Sequence, residues 1–124
     1  MESMQQLTYA SRCLLTPDTV SDALFDLVAA LRPGQRPEAV SIPVLTEDGR
    51  LLEARLLLHS GTELVSIAAA NAPHSEDEGA LAAASAAAVT EVRRRIAAAG
   101  VPVERPVIED DPTSFTYEER YEWA

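Results

Sequence analysis

The chain has 124 residues, with 20 acidic side chains against 10 basic ones, for a net charge of −10 at pH 7. That length supports one domain around one core, and an apolar fraction of 47% argues against a disordered chain. The core must be built largely from small residues, because 21 of the apolar residues are alanine and only six side chains in the chain are aromatic.

Residues 7–15 (LTYASRCLL) read as a first strand, with Leu7, Tyr9, Cys13 and Leu15 alternating onto one buried face. Thr16-Pro17-Asp18 then carries helix-start signals: a hydroxyl cap, proline in the first turn and an acid near the positive end. Val20, Leu24, Leu27, Val28 and Leu31 follow at helical spacing, with Asp22 and Asp26 on another face, and Arg32-Pro33-Gly34 ends the helix.

Residues 39–69 read as a three-stranded meander. In its first hairpin, a two-residue Asp48-Gly49 loop sets Val40, Ile42 and Val44 against Leu57, Arg55 and Glu53. A three-residue Glu47-Asp48-Gly49 loop sets them against Leu56, Ala54 and Leu52 instead. Only the second register gives one apolar face, and a one-residue slip inverts it, so the three-residue loop is expected. A Ser60-Gly61 turn is then expected to pair Leu56, Ala54 and Leu52 with Val65, Ile67 and Ala69. Pro43 cannot donate to a ladder, which assigns its strand to an edge or a bulge.

Ser75-Glu76-Asp77-Glu78 is a capping-box sequence. It opens a helix expected to run to about Ala99, with Arg93-Arg94-Arg95 near its negative end and an inner stripe of Leu81, Ala84, Ala88, Val92, Ile96 and Ala99. Residues 102–108 suggest a short edge strand held there by Pro102 and Pro106. After Ile108 the composition changes: residues 109–124 hold six acids, one arginine and four of the six aromatics. The expected architecture is α+β and two-layered. A mostly antiparallel sheet carries both helices on one face, in the order β-α-β-β-β-α-β, with residues 1–108 as the domain and 109–124 as an acidic aromatic tail.

Chain direction through these elements predicts a bipolar molecule. Asp18, Glu47, Asp48, Glu76, Asp77, Glu78, Glu109, Asp110 and Asp111 gather at the end bearing the 47–49 turn, and Arg32, Arg36 and Arg93–Arg95 gather at the other. Acids at helix starts and arginines at helix ends are worth about 0.3–1 kcal/mol each through the helix dipole, which alone accounts for such a layout. A functional alternative is an acidic pole where Asp48, His74, Glu76 and Asp77 take a small ligand or a divalent cation, although no EF-hand spacing occurs.

Catalytic motifs are missing. His59 and His74 flank one strand and stand about 20 Å apart, too far to share a site within one molecule. Cys13 reads as a buried small hydrophobe, and a Cys13–His74 dyad is the one nucleophile–base pairing the layout permits. Ser60 in His59-Ser60-Gly61 fits no nucleophile elbow. No Walker loop, GxGxxG or CxxC is present, so no cofactor is implied.

All ten basic residues are arginine, which together with the alanine load fits GC-rich bacterial coding. The negative balance argues against phosphate-driven nucleic-acid binding, which needs clustered cations, and against anionic membrane surfaces. No apolar run approaches the ~18 residues of a spanning helix, the first ten residues lack a signal-peptide pattern, and one cysteine forms no internal disulfide. A cytoplasmic protein is expected.

The order of elements from 7 to 99 resembles that of ribosome hibernation factors, and its inner α-β-β-β-α that of double-stranded-RNA-binding domains. The likeness is one of order, without the basic helices those families use. Two features point instead to protein partners. Phe115, Tyr117, Tyr121 and Trp123 follow the last expected strand and either cover the chain's own second sheet face, pack on a partner copy, or serve as anchors that dock into a groove of another protein. The second sheet face, with Leu45, Leu51, Leu57 and Leu64 amid Ser41, Glu53, Arg55 and Ser66, needs partial cover. The expected function is a small, acidic, non-enzymatic accessory protein acting as a homodimer. An enzyme that binds a small ligand or metal at the acidic pole is the alternative.

Overall fold

In the computed structural model, which describes residues 3–100, the first segment is a hairpin rather than one strand. β1 (Met4–Tyr9) and β2 (Arg12–Pro17) pair antiparallel from Met4↔Pro17 to Tyr9↔Arg12. The chain reverses through Ala10 and Ser11 at φ 51° and 68°. A two-residue turn with both central residues left-handed matches the twist of the flanking strands, but it is normally signalled by Asn-Gly or Asp-Gly. Ala-Ser gives no such signal, which is why the segment reads as continuous.

Helix α1 (Asp18–Ala30) begins with Pro17 at its N-cap and no side-chain cap. Thr16 therefore does not cap it. Thr16 is fully buried in β2, and its hydroxyl donates to the Pro43 carbonyl at 2.7 Å. Val20, Ala23, Leu24 and Leu27 face inward, and the helix stops at Leu31, ahead of Gly34 at φ 84°.

β3 (Glu38–Leu45) and β4 (Leu51–Leu58) form the hairpin in the expected register, with Val40, Ile42 and Val44 opposite Leu56, Ala54 and Leu52. Gly49 occupies the left-handed position at φ 86°, and Thr46 N–H bonds the Arg50 carbonyl at 2.9 Å across the three-residue loop.

β5 (Leu64–Ala68) departs from the expected meander. It pairs antiparallel with β1, not with β4, and the sheet order is β4-β3-β2-β1-β5, with β2 and β3 meeting at Leu15 and Leu45. The edge of β4 is already occupied at Leu57: its N–H donates to the Tyr9 hydroxyl at 3.0 Å, and that hydroxyl donates to the Leu57 carbonyl at 2.9 Å. β1 and β4 are separated by two strands in the sheet, so the phenol bridges them only because the sheet curls.

The change of partner inverts β5. Leu7 is opposite Ser66, so Ser66 shares the helix-side face with Leu7, and Val65 and Ile67 turn outward. Inside, Ser66 Oγ donates to Gln5 Oε1 at 2.9 Å, and Gln5 Nε2 donates to Asp18 Oδ1 at 3.0 Å. With its proton so committed, Ser66 accepts from Ser21 of α1 at 2.9 Å. This relay stitches α1 to β1 and β5.

Helix α2 (Glu78–Gly100) starts two residues later than a Ser75 cap predicts. Asp77 Oδ1 accepts the Ala80 N–H at 2.9 Å, while Glu78 Oε2 accepts the Ser75 N–H at 3.1 Å. Leu81, Ala88, Val92 and Ala99 are buried, as is Ser85, which the apolar stripe omits. The main core joins Leu7, α1, the inner faces of β3 and β4, and α2 through Ala88 and Val92. A smaller cluster of Met4, Leu45 and Leu81, with Leu15, Leu51, Ala69 and Ala72 against it, fills the end near the 47–49 turn. The result is an α+β fold with a five-stranded antiparallel sheet and two helices. The expected strand at 102–108 and the tail at 109–124 lie outside the described residues.

Candidate functional site

At the expected acidic pole the start of α2 meets the 47–49 turn, while Glu109, Asp110 and Asp111 lie outside the described residues. The Glu76 N–H donates to the Gly49 carbonyl at 3.0 Å, docking the β5–α2 connection onto the β3–β4 turn. The approach is so close that a Cβ on Gly49 would stand 2.3 Å from the His74 carbonyl oxygen. Beside it lies a cavity of about 450 Å³, lined by Met4, Asp18, Leu45, His74, Glu78 and Leu81 among others.

Of the four sequence-designated pole residues, His74 alone lines that cavity. Asp48 turns to its own hairpin, accepting from the Thr46 hydroxyl and meeting Arg50 at 3.7 Å, and the Thr46 bond holds its carboxyl below the usual range. Asp77 caps α2. Glu76 is placed by its backbone. Asp18 and Glu78, which do line the cavity, accept from Gln5 and from the Ser75 N–H. The carboxylates thus serve turns and helix starts. Among the described residues, no three His, Cys, Asp or Glu side chains are placed to hold a metal ion.

Cys13 is exposed rather than buried, because the hairpin sets it opposite Thr8 on the outer face. Hydrogen bonds from Gln6 and Thr8 lower its thiol pKa. Thr8 lines a cavity with His59, whereas His74 lines one with Met4, at the other end of β1. The Cys13–His74 pairing is therefore not made, and the two histidines occupy opposite ends, as the strand length predicts.

The arginine cluster at the far end of α2 is neutralised. Arg93 meets Asp26 at 2.6 Å and Arg94 meets Glu91 at 2.6 Å. Arg95 bridges Glu91 at 2.7 Å and Glu38 at 2.8 Å. The two guanidiniums hold the Glu91 carboxyl down at about 2.

The site that sequence reasoning missed is at the seam between β4 and β5. A cavity of about 460 Å³ there is lined by Thr8, Tyr9, Leu57, His59 and Val65, among others. His59 Nδ1 accepts the Gly61 N–H at 3.0 Å, so the neutral ring carries its proton on Nε2. Around this seam the outer face presents Leu57, Val65 and Ile67, which are 54%, 53% and 59% exposed. The cross-strand neighbours of Val65 and Ile67 are Thr8 and Gln6, both uncharged. The only sequence signal for this patch is the alternation in β5, and it points outward only once β1 is known to be the partner.

Fold and site together define a small α+β domain with an apolar outer seam and a polar end cavity. No protein-family model, curated protein or solved structure matches the chain. Among the described residues no helix is long and apolar enough to cross a membrane.

Proposed function

We propose that the domain is a non-enzymatic interaction module that acts as a homodimer, joined through the outer face around Leu57, Val65 and Ile67. The observation that carries the reading is the exposure of these three aliphatic side chains, with uncharged Thr8 and Gln6 across from Val65 and Ile67. Two molecules of net charge −10 approach most easily where neither presents a charge. Covering the remaining half of a Val, Leu or Ile side chain is worth about 1 kcal/mol.

Light scattering at high micromolar concentration is expected to give a dimer. Val65→Thr/Ile67→Thr, which keeps strand propensity, is expected to weaken it roughly tenfold or more. A wild-type monomer at that concentration overturns the reading. Cys13, the single cysteine, lies on the same outer face opposite Thr8, and its maleimide labelling should slow as the dimer forms.

The second reading, a small ligand at the acidic pole, is favoured by the cavity that His74, Asp18 and Glu78 line; its divalent-cation form has no assembled set of three ligands among the described residues. Its test is thermal melting with a panel of divalent ions, since any ligand of the native state raises stability by mass action. No shift across the panel removes the metal form of that reading.

A further inference from the structure

We infer that the aromatic tail binds back onto its own domain, seating Tyr117, Tyr121 and Trp123 in the groove between α2 and the β3–β4 pair. That groove encloses about 750 Å³, with Val40, Ile42, Pro43 and Leu51 on the strand side and the methyl groups of Ala84 and Ala87 on the helix side. It exists because alanine side chains are too short to close the gap between α2 and the outer strands. Its size falls in the range of pockets that take compact organic ligands.

Leu52 marks the groove as unfinished. By register it belongs to the helix-side face, opposite Val44, yet it stays 48% exposed at the groove while Leu56 and Leu58 on the same face are buried. An apolar side chain on the core side of a sheet is normally covered by the opposing layer. Here the helix supplies alanine.

The tail is the occupant best placed to cover it. Arg95 stands at the groove end five residues before Gly100, about 7.5 Å along the helix axis. The groove extends along α2 from Arg95 to Ala84, about 16 Å. The chain from Gly100 to Tyr117 can extend to more than about 50 Å, so it can turn back and run the full groove. Tethering places the tail at an effective concentration in the millimolar range, above what a free partner reaches.

Charge agrees. The tail carries six acids and one arginine. The charged side chains lining the groove are Arg55, Arg95, Glu53 and Glu91, a neutral set on an otherwise strongly acidic protein. Arg55 has no carboxylate within 4 Å among the described residues, so it is open to a tail acid.

Trp123 is the only tryptophan in the chain, so its fluorescence reads the tail directly. In the full chain, acrylamide quenching should be several-fold weaker than in urea, the emission blue-shifted, and both independent of protein concentration. Ala87→Glu places a charge at an exposed helix position that lines the groove, and should return both readings to the unfolded values. Ala86→Glu, exposed on the same helix but outside the groove, should not. Circular dichroism and melting verify that the variants fold, and Arg55→Glu repeats the test from the strand side if Ala87→Glu does not. Quenching in the wild type equal to that in urea overturns the inference. So does shielding that survives both Ala87→Glu and Arg55→Glu, or shielding that appears only at high concentration and thus comes from a second copy.

Discussion

Replacing Tyr9 by Phe isolates the hydroxyl that bridges β1 to β4. The hydroxyl makes two hydrogen bonds, to the N–H and carbonyl of Leu57, at 3.0 and 2.9 Å. Each is worth about 0.5–1.5 kcal/mol net, and the low end applies because water can reach the freed groups at an exposed edge. Tyr9→Phe is therefore expected to cost about 1–1.5 kcal/mol in urea unfolding, or roughly 5–10 °C in melting temperature for a domain of this size. The ring remains, so packing is not at issue. Amide exchange supplies the local reading: the Leu57 amide should exchange about tenfold faster in the variant, while amides of β4 that bond β3 keep their protection. Unchanged stability together with unchanged Leu57 exchange would refute the bridge.

Other outcomes follow from features already described. Gly49→Ala should destabilise by more than about 2 kcal/mol, because it combines a positive φ with a Cβ driven into the His74 carbonyl; Gly34→Ala, equally left-handed but with nothing within 4 Å among the described residues, should cost only about 1 kcal/mol, and paired melting curves give the order. Glu91 contributes stability above its unfolded pKa near 4.5, and that contribution fades as pH falls toward about 2. Glu91→Gln should thus lie below wild type in stability at neutral pH and converge with it in acid, as measured by urea titrations across that window. Ser85 Oγ is buried with no hydrogen-bond partner among the described residues, so Ser85→Ala should leave melting unchanged or raise it slightly.

The β3–β4 register was legible because two independent constraints agree: a glycine at the left-handed position of a three-residue turn, and the parity of Val40, Ile42 and Val44. Helix α1 was legible from its periodicity, and α2 from its capping sequence. The outer patch was not. Val65 and Ile67 alternate with Leu64 and Ser66 in a strand that suits either face. Which face is buried depends on whether β4 or β1 lies alongside, and that choice is long-range. It turns on Tyr9 taking the edge groups of Leu57, and on an Ala-Ser turn that no local rule announces. At the acidic pole, the sequence placed His74 beside the 47–49 turn correctly. It could not show that Asp48 and Asp77 would spend their carboxylates on their own turn and helix start. Local hydrogen bonds of that kind are decided by side-chain rotamers, which composition does not encode.

The phenol on the edge of β4 also governs how another chain can join the sheet. A free edge recruits an incoming strand through its unpaired amides and carbonyls, and proteins usually discourage this with charge, proline or a bulge. Here the Leu57 pair of groups is already satisfied by a side chain from across two intervening strands. Strand addition at β4 would have to expel Tyr9 first. The opposite border, β5, turns the backbone groups of Leu64, Ser66 and Ala68 outward with no such guard among the described residues, so β-augmentation is directed to one side of the molecule only. The asymmetry favours closed pairs over open-ended stacks, since a chain that can add at one border alone cannot propagate a fibre.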